Sequence, residues 1–165
     1  MNRQALTALV IVGLIFAGVA MNRYNKSQPR GIRNNNPLNI RKSGTAWQGK
    51  VGNDGEFEIF NSAHDGIRAA ARNLRTYANS HGLRTIAGIV SRWAPGAGRN
   101  ADGSTYIQDT GGYIASVVRN TGIAADDILT ATDYPAVIAA MIHHENGQQP
   151  YSIDDITRAV NDGFA

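Results

Sequence analysis

The pattern of apolar and polar residues divides the chain into an apolar N-terminal segment, a short polar stretch and a helix-rich remainder. Residues 5–21 carry no charge, and Thr7 is their only polar side chain. A run of this length is at the lower limit for crossing a hydrocarbon layer about 30 Å thick. We therefore predict a single N-terminal transmembrane helix as an anchor over residues 1–22. A cleaved signal peptide is the alternative, because Arg3 precedes the run.

The polar residues 23–30 lack periodicity and read as a basic linker, and residues 31–165 read as one folded domain. Two β-prone runs, 45–51 and 56–60, flank four turn-forming residues, which predicts one small β-hairpin. Beyond it, capping residues and apolar spacing predict helices over 62–82, 85–93, 133–145 and 152–163, and a helical stretch between 106 and 118 that Gly111 and Gly112 interrupt. The expected fold class is mainly α.

Composition and charge narrow the function classes. The chain has no cysteine, which excludes disulfides and cysteine-ligated zinc or iron–sulfur sites. Residues 1–53 hold eight Lys or Arg and no acidic residue, whereas residues 54–165 hold eight basic and thirteen acidic residues. The acidic body argues against specific nucleic-acid binding. The basic residues that follow the apolar run suit anionic lipid head groups and oppose transfer of that side across a membrane. A lipid bilayer, contacted through residues 5–21, is thus an expected partner.

Glu145 has the strongest chemical signal of the carboxyl groups. It ends an apolar helix directly before Asn146 and Gly147, a typical left-handed helix cap. A carboxyl group at the edge of an apolar core has a raised pKa and stays protonated near neutral pH, as a general acid requires. A capping or solvated glutamate is the alternative.

The histidines beside Glu145 do not predict a metal site. His143 and His144 are adjacent, and neighbouring side chains on a helix point about 100° apart, whereas two ligands on one face need a spacing of three or four residues. We expect no metal and no other cofactor.

The hairpin and an asparagine-rich segment supply further candidates. Glycosidases often use a second carboxylate, and the hairpin offers Asp54, Glu56 and Glu58. The two glutamates share one strand face, so a solvated face is the alternative reading. Residues 31–42 contain three successive asparagines, whose amide groups suit a carbohydrate, although such runs are also ordinary loops.

Several sequence strings resemble a known family. NNNPLNIRKSGTAWQG, EFEIFNSAHDGIRAAARNLRTY, and WAP with a later TYI are similar to the cell-wall glucosaminidase and lytic transglycosylase branch of the lysozyme superfamily. RGIRNNNPLNI with HENG, Pro150 and Tyr151 resembles a group of small phage virion proteins. The resemblance covers Gly31 to about Tyr151 and implies a lysozyme-like fold. The substrate contacts that we expect are Asn35, Asn36, Asn39, Trp47, Tyr106 and His144.

The position of the catalytic glutamate departs from that family. There it ends a helix upstream of the asparagine-rich turn, but here no acidic residue precedes Asp54. The late segment AVIAAMIHHENG resembles the glutamate-bearing helix of the family. We therefore expect a circular permutation, which would return Glu145 to a cleft opposite the hairpin.

The resulting prediction is a membrane-tethered phage protein that binds peptidoglycan and cleaves its glycan strand, for genome delivery or lysis. Glu145 would protonate the glycosidic oxygen, and a group of the substrate itself would capture the intermediate. We expect the protein in the virion, beside other virion proteins, or in the inner membrane, and secreted or periplasmic if the signal is cleaved. The alternatives are a non-catalytic structural virion membrane protein with a lysozyme-like fold and a membrane-tethered nucleic-acid binder.

Overall fold

The computed structural model of the chain describes residues 27–99 and 103–165. The anchor predicted over residues 1–22 and the first part of the linker lie outside the described residues. No helix within 27–99 and 103–165 has both the length and the apolar character needed to cross a bilayer. The last linker residue, Arg30, already belongs to a helix.

Six helices and four short strands make up the described part of the chain. In chain order they are α1 (Arg30–Arg33), β1 (Lys50–Asn53), β2 (Glu58–Phe60), α2 (Ala63–His81), α3 (Ile86–Trp93), β3 (Ala97–Arg99), β4 (Thr105–Ile107), α4 (Thr110–Thr121), α5 (Tyr134–Asn146) and α6 (Ile153–Phe164). The strands form two separate antiparallel sheets, β1 with β2 and β3 with β4.

Most of the helices begin and end where the sequence signals place them. The Ser62 side chain accepts a hydrogen bond from the backbone N–H of Asp65 at the start of α2, and Gly82 ends that helix in a left-handed conformation, with φ 67°. Ser152 caps α6 in the same way as Ser62 caps α2. Each cap satisfies backbone groups that a helix end leaves unpaired. These helix predictions are confirmed.

Helix α5 passes through the centre of the hydrophobic core. Its residues Val137, Ile138, Met141 and Ile142 are fully buried. Complete burial of an aliphatic side chain of this size stabilises the fold by about 1.5–3 kcal/mol. The long helix α2 packs along α6, and both face the same core as α5. The C-terminal end of α5 is thereby held rigidly, which matters for the residue that ends it.

The predicted fold class, a mainly α lysozyme-like domain with one small hairpin behind a transmembrane helix, is wrong for the described part of the chain. The structure is a mixed fold with two small sheets. In the second sheet Ala97 pairs with Ile107, Gly98 with Tyr106 and Arg99 with Thr105. These strands have three residues each and are mostly exposed, so no alternation of apolar residues marks them.

Two boundaries also differ from the prediction. Helix α4 is not interrupted at Gly111 and Gly112, because Asp109 caps it by accepting a hydrogen bond from the Gly112 N–H. Strand β1 begins at Lys50 rather than Thr45, and the pairing of β1 with β2 contains a bulge between Lys50 and Gly52. The bulge places one extra residue, Val51, in β1 opposite β2.

Candidate functional site

The end of helix α5 is fastened to the asparagine-rich segment. The buried Asn146 side chain donates hydrogen bonds to the carbonyl oxygens of Pro37 (2.7 Å) and Ile142 (2.8 Å). Gly31 makes the close approach possible, since an added Cβ would lie 2.8 Å from Asn146 Oδ1 and 2.9 Å from Asn39 Oδ1. Glu145, next to Asn146, is therefore fixed against the turn.

The carboxylate of Glu145 has two side-chain donors. Asn39 Nδ2 donates to Oε2 at 2.9 Å, and the hydroxyl of Tyr113 donates to Oε1 at 3.0 Å. Tyr113 is buried in α4, and its ring stacks on the imidazole of His144 with 3.8 Å between ring centroids. The asparagine-rich turn and α4 thus both contact the carboxyl group at the end of α5.

Burial raises the pKa of Glu145 above its ordinary value of 4.5. The hydrogen bonds from Asn39 and Tyr113 and the charge of His144 act in the opposite direction, and burial is the largest influence. Burial also raises the pKa of Tyr113 well above 10, so its phenol stays neutral and can donate. The Glu145 carboxyl consequently retains its proton at a higher pH than a solvated glutamate does.

Glu145 lines a cleft of about 510 Å³, which we call the aromatic groove. Aromatic rings from three regions of the chain line it, and amide and hydroxyl side chains lie between them. The lining side chains include Trp47, Phe57, Tyr77, Trp93, Asn39, Ser43, Thr45, Asn73, Gln108 and Glu145.

Glu145 also lines a second cleft of about 480 Å³, which we call the helix groove. One face of α4 and its capping residue form much of it, and His144 of α5 adds to the lining. The residues of the helix groove are Asp109, Gly112, Tyr113, Ser116, Arg119 and His144, with Ala94, Gln108 and Glu145 shared with the aromatic groove. Glu145 therefore lies where the two grooves meet.

Asp54 and Glu56, two of the predicted second carboxylates, form ion pairs with arginine side chains. Arg30 binds both oxygens of Asp54, at 2.7 and 2.8 Å, and Glu56 at 2.7 Å. The hydrogen bonds from Arg30 hold the pKa of Asp54 far below its usual range. Glu56 also accepts from Arg41 at 3.3 Å. Neither carboxylate lines a groove.

Glu58 is buried rather than on a solvated strand face. It has no solvent exposure, and its Oε1 accepts from Lys50 Nζ at 2.9 Å and from the Ser43 N–H at 2.8 Å. Phe60, two residues along the same strand, is also buried. The solvated-face reading of this strand is therefore wrong, because the strand face that carries Glu58 and Phe60 packs inward. Glu58 does not line a groove either.

The asparagines differ in what they do. Asn36 is fully buried, donating to the carbonyl oxygens of Ile40 and Glu58. The Asn35 amide donates to the carbonyl oxygens of Phe60, the last residue of β2, and of Asn61, which follows it. Asn35 and Asn39 have φ angles of 51° and 52°, a left-handed conformation that asparagine tolerates better than most residues. Of the three predicted sugar-binding asparagines, only Asn39 lines a groove.

The remaining predicted contacts are divided between the grooves. Trp47 lines the aromatic groove and His144 the helix groove. Tyr106 lies outside both linings, with its ring 5.3 Å from the guanidinium carbon of Arg41. The described residues contain no cluster of three or more His, Asp or Glu side chains that could hold a metal ion.

Sequence reasoning missed the groove-lining roles of Tyr77, Trp93 and Tyr113. Each follows the apolar spacing of a helix, so each reads as a core residue. The tertiary arrangement leaves Tyr77 and Trp93 half-buried at the cleft and gives the Tyr113 hydroxyl a carboxylate partner. A polar atom at the end of an otherwise buried ring is the one signal that could have singled out Tyr113.

Comparison with known proteins finds a relative from a phage. No family model matches the chain. The chain is 45% identical over 140 residues to Protein P5 of Pseudoalteromonas phage PM2, and the match covers 82% of each chain. The name of that relative states no activity.

Proposed function

The chain belongs to the family of Protein P5 of Pseudoalteromonas phage PM2, and we propose that it is a phage protein that cleaves glycan strands of the bacterial cell wall. Glu145 is the general acid. The observation that carries the proposal is the position of this carboxyl: half-buried, with a raised pKa, and at the junction of two grooves. A reactive group between two binding grooves suits cleavage in the middle of a polymer.

The lining of the aromatic groove matches the chemistry of an N-acetylated sugar chain. Trp47, Tyr77 and Trp93 offer ring faces for the apolar faces of sugars. Asn73 and Gln108 offer amide groups that can both donate to and accept from hydroxyl and acetamido groups. The polar groups set the orientation of the strand, and the rings supply contact area.

The acid step uses the retained proton of Glu145. Each carboxyl oxygen has two lone-pair positions, and each accepts a single side-chain hydrogen bond. The free position on one oxygen carries the proton. In the reaction this proton passes to the glycosidic oxygen, the bond from the anomeric carbon to that oxygen breaks, and the leaving strand departs with a new hydroxyl group.

The second step needs no carboxylate from the hairpin. Asp54, Glu56 and Glu58 are bound to Arg30, Arg41 or Lys50, and none of the three lines a groove. A hydroxyl or acetamido group of the substrate therefore captures the anomeric carbon, a route within the substrate-assisted exceptions to the two-carboxylate rule. When a hydroxyl attacks, its proton goes to the Glu145 carboxylate, which restores the acid and consumes no water.

We assign the activity to the phage particle, where opening the cell wall assists delivery of the genome. The motif resemblance to small virion proteins supports this assignment, as does the phage origin of the relative. Other virion proteins are then its neighbours. The reaction itself requires only the strand and the residues around Glu145.

Glu145→Gln tests the proposal in a peptidoglycan zymogram. The amide keeps the shape of the side chain but has no proton to give, so lysis should fall by about two to four orders of magnitude. Glu56→Gln is the matched control, since it makes the same chemical change outside the grooves, and it should keep at least about a tenth of the activity. Full lysis by folded Glu145→Gln, or none by the unaltered chain, contradicts the proposal.

A further inference from the structure

The two grooves differ in how their cations are balanced. Arg41 in the aromatic groove pairs with Glu56 at 3.3 Å, and its guanidinium carbon lies 5.7 Å from the centre of the Phe57 ring and 5.3 Å from that of Tyr106. Arg119 in the helix groove has no ion-pair partner among residues 27–99 and 103–165. The charge of Arg119 is therefore available to a ligand, whereas that of Arg41 is largely satisfied within the protein.

Besides Glu145, whose raised pKa favours its neutral form, the helix groove contains one acidic residue, Asp109, and it does not balance Arg119. Asp109 caps the start of α4, with its Oδ1 accepting from the Gly112 N–H at 2.8 Å. Arg119 is ten residues further along, which corresponds to about 15 Å at the rise of an α-helix. That separation exceeds the screening length of about 8–10 Å at physiological salt. The groove thus has its negative charge at one end and its positive charge at the other.

Arg119 also lies close enough to Glu145 for one ligand to contact both residues. Tyr113, which donates to Glu145, precedes Arg119 by six residues, or about 9 Å along α4. Ser116 lies between them in the same groove. A ligand that reaches from Glu145 along α4 would meet a hydroxyl and then a guanidinium that forms no ion pair within the described part of the chain.

We infer that Arg119 binds a carboxylate carried by a peptide branch of the strand, so that the helix groove selects the peptide-bearing side of the cleaved bond. This inference rests on the proposed glycan-cleaving function. A guanidinium can bind both oxygens of a carboxylate at once, which adds direction to charge attraction. The aromatic groove, in contrast, takes the uncharged sugar rings.

Three strands with one glycan sequence test the inference: one with free peptide carboxylates, one with those carboxylates esterified, and one with the peptides removed. Dissociation constants are measured for the full chain, for Arg119→Gln and for Arg72→Gln. Arg72 is exposed on α2 and outside both grooves, so its variant carries the same charge change elsewhere.

The unaltered chain and Arg72→Gln should bind the free-carboxylate strand about three- to fivefold more tightly than the other two, the range of a solvent-exposed ion pair. Arg119→Gln should bind all three strands alike, and added salt should remove the preference of the unaltered chain. A preference that survives in Arg119→Gln, or that esterification leaves unchanged, overturns the inference.

Cleavage of the same strands separates this inference from the proposed function. Carboxylate-dependent binding without cleavage keeps the role of Arg119 and contradicts the enzyme. Cleavage of all three strands with equal affinity keeps the enzyme and contradicts the role of Arg119. Absence of both binding and cleavage contradicts both.

Discussion

The two grooves meet at one carboxyl group but have walls of different construction. The helix groove is formed largely by one face of α4, a regular element whose shape follows from its own hydrogen bonds. The aromatic groove includes Ser43, Thr45 and Trp47, which lie in an irregular loop. That loop is held by Lys50, which donates to the carbonyl oxygens of Ser43 and Thr45 and to the buried Glu58. The wall of the helix groove is therefore formed by contacts within α4, whereas the wall of the aromatic groove depends on the ion pair between Lys50 and the buried Glu58.

This difference predicts unequal tolerance to substitution. Lys50→Met should lower the free energy of unfolding by about 3 kcal/mol, because it leaves the Glu58 carboxylate buried without its cation. Arg119→Gln, the corresponding loss of a cation in the helix groove, should change it by less than about 0.5 kcal/mol. Urea denaturation monitored by circular dichroism measures both values.

A double variant shows whether the unpaired charge of Glu58 causes the loss of stability in Lys50→Met. Lys50→Met with Glu58→Leu should recover most of the lost stability, since removing both charges of a buried pair is often nearly neutral. If the double variant is no more stable than Lys50→Met, packing around Lys50 rather than the ion pair holds the loop.

Ligand binding gives a second comparison of the grooves. Trp47→Ala should weaken binding of a neutral glycan strand about tenfold, since a well-placed aromatic contact contributes about 0.5–1.5 kcal/mol beyond its buried area. His144→Ala, in the helix groove, should weaken it by at most about threefold, because His144 is exposed and its ring is already stacked on Tyr113. Isothermal titration calorimetry distinguishes the two, and equal losses would show that the aromatic groove has no special part in sugar binding.

Tyr113→Phe tests the hydrogen bond to Glu145 where the two grooves meet. Of these variants it should have the smallest effect on the reaction rate. The raised pKa of Glu145 means that activity falls as pH rises through that pKa, when the acid loses its proton. The Tyr113 hydroxyl lowers this pKa by stabilising the carboxylate, so its removal should raise the pKa and extend activity to higher pH. The rate on the acidic plateau should change by less than about threefold.

The matched control for that experiment is Tyr151→Phe. Tyr151 is half-buried and lies outside both grooves, so its variant should keep the pH profile of the unaltered chain. An alkaline limb that stays in place in Tyr113→Phe, or that moves to lower pH, would contradict the role given to the hydroxyl.

Local signals predicted the helices around the site well. Ser62, Ser152 and the glycines after α2 and α5 act within one helical turn, so the sequence is sufficient to place the helix ends. The same holds for the position of Glu145 at the end of an apolar helix. The sequence does not predict the contact of Glu145 with Asn39, 106 residues away; the family resemblance implies only that Glu145 lies in a cleft opposite the hairpin.

Tertiary contacts decided what the sequence left open. Glu58 is buried on the same face of β2 as Phe60, and the alternation within EFEIF does not show which face packs inward. The second sheet consists of exposed three-residue strands with no apolar pattern. The asparagine run serves the backbone, through left-handed turns and bonds to carbonyl oxygens, more than it serves the grooves.

The most direct test of the central claim is analysis by mass spectrometry of defined cell-wall glycan strands incubated with the full chain and with Glu145→Gln. The account predicts shorter fragments from the unaltered chain, with the new end closed by an intramolecular bond when the substrate's own hydroxyl captures the anomeric carbon. It predicts intact strands from Glu145→Gln. Strands left intact by the folded, unaltered chain, or equal fragmentation by the variant, would contradict the assignment of Glu145 as the acid that cleaves the strand.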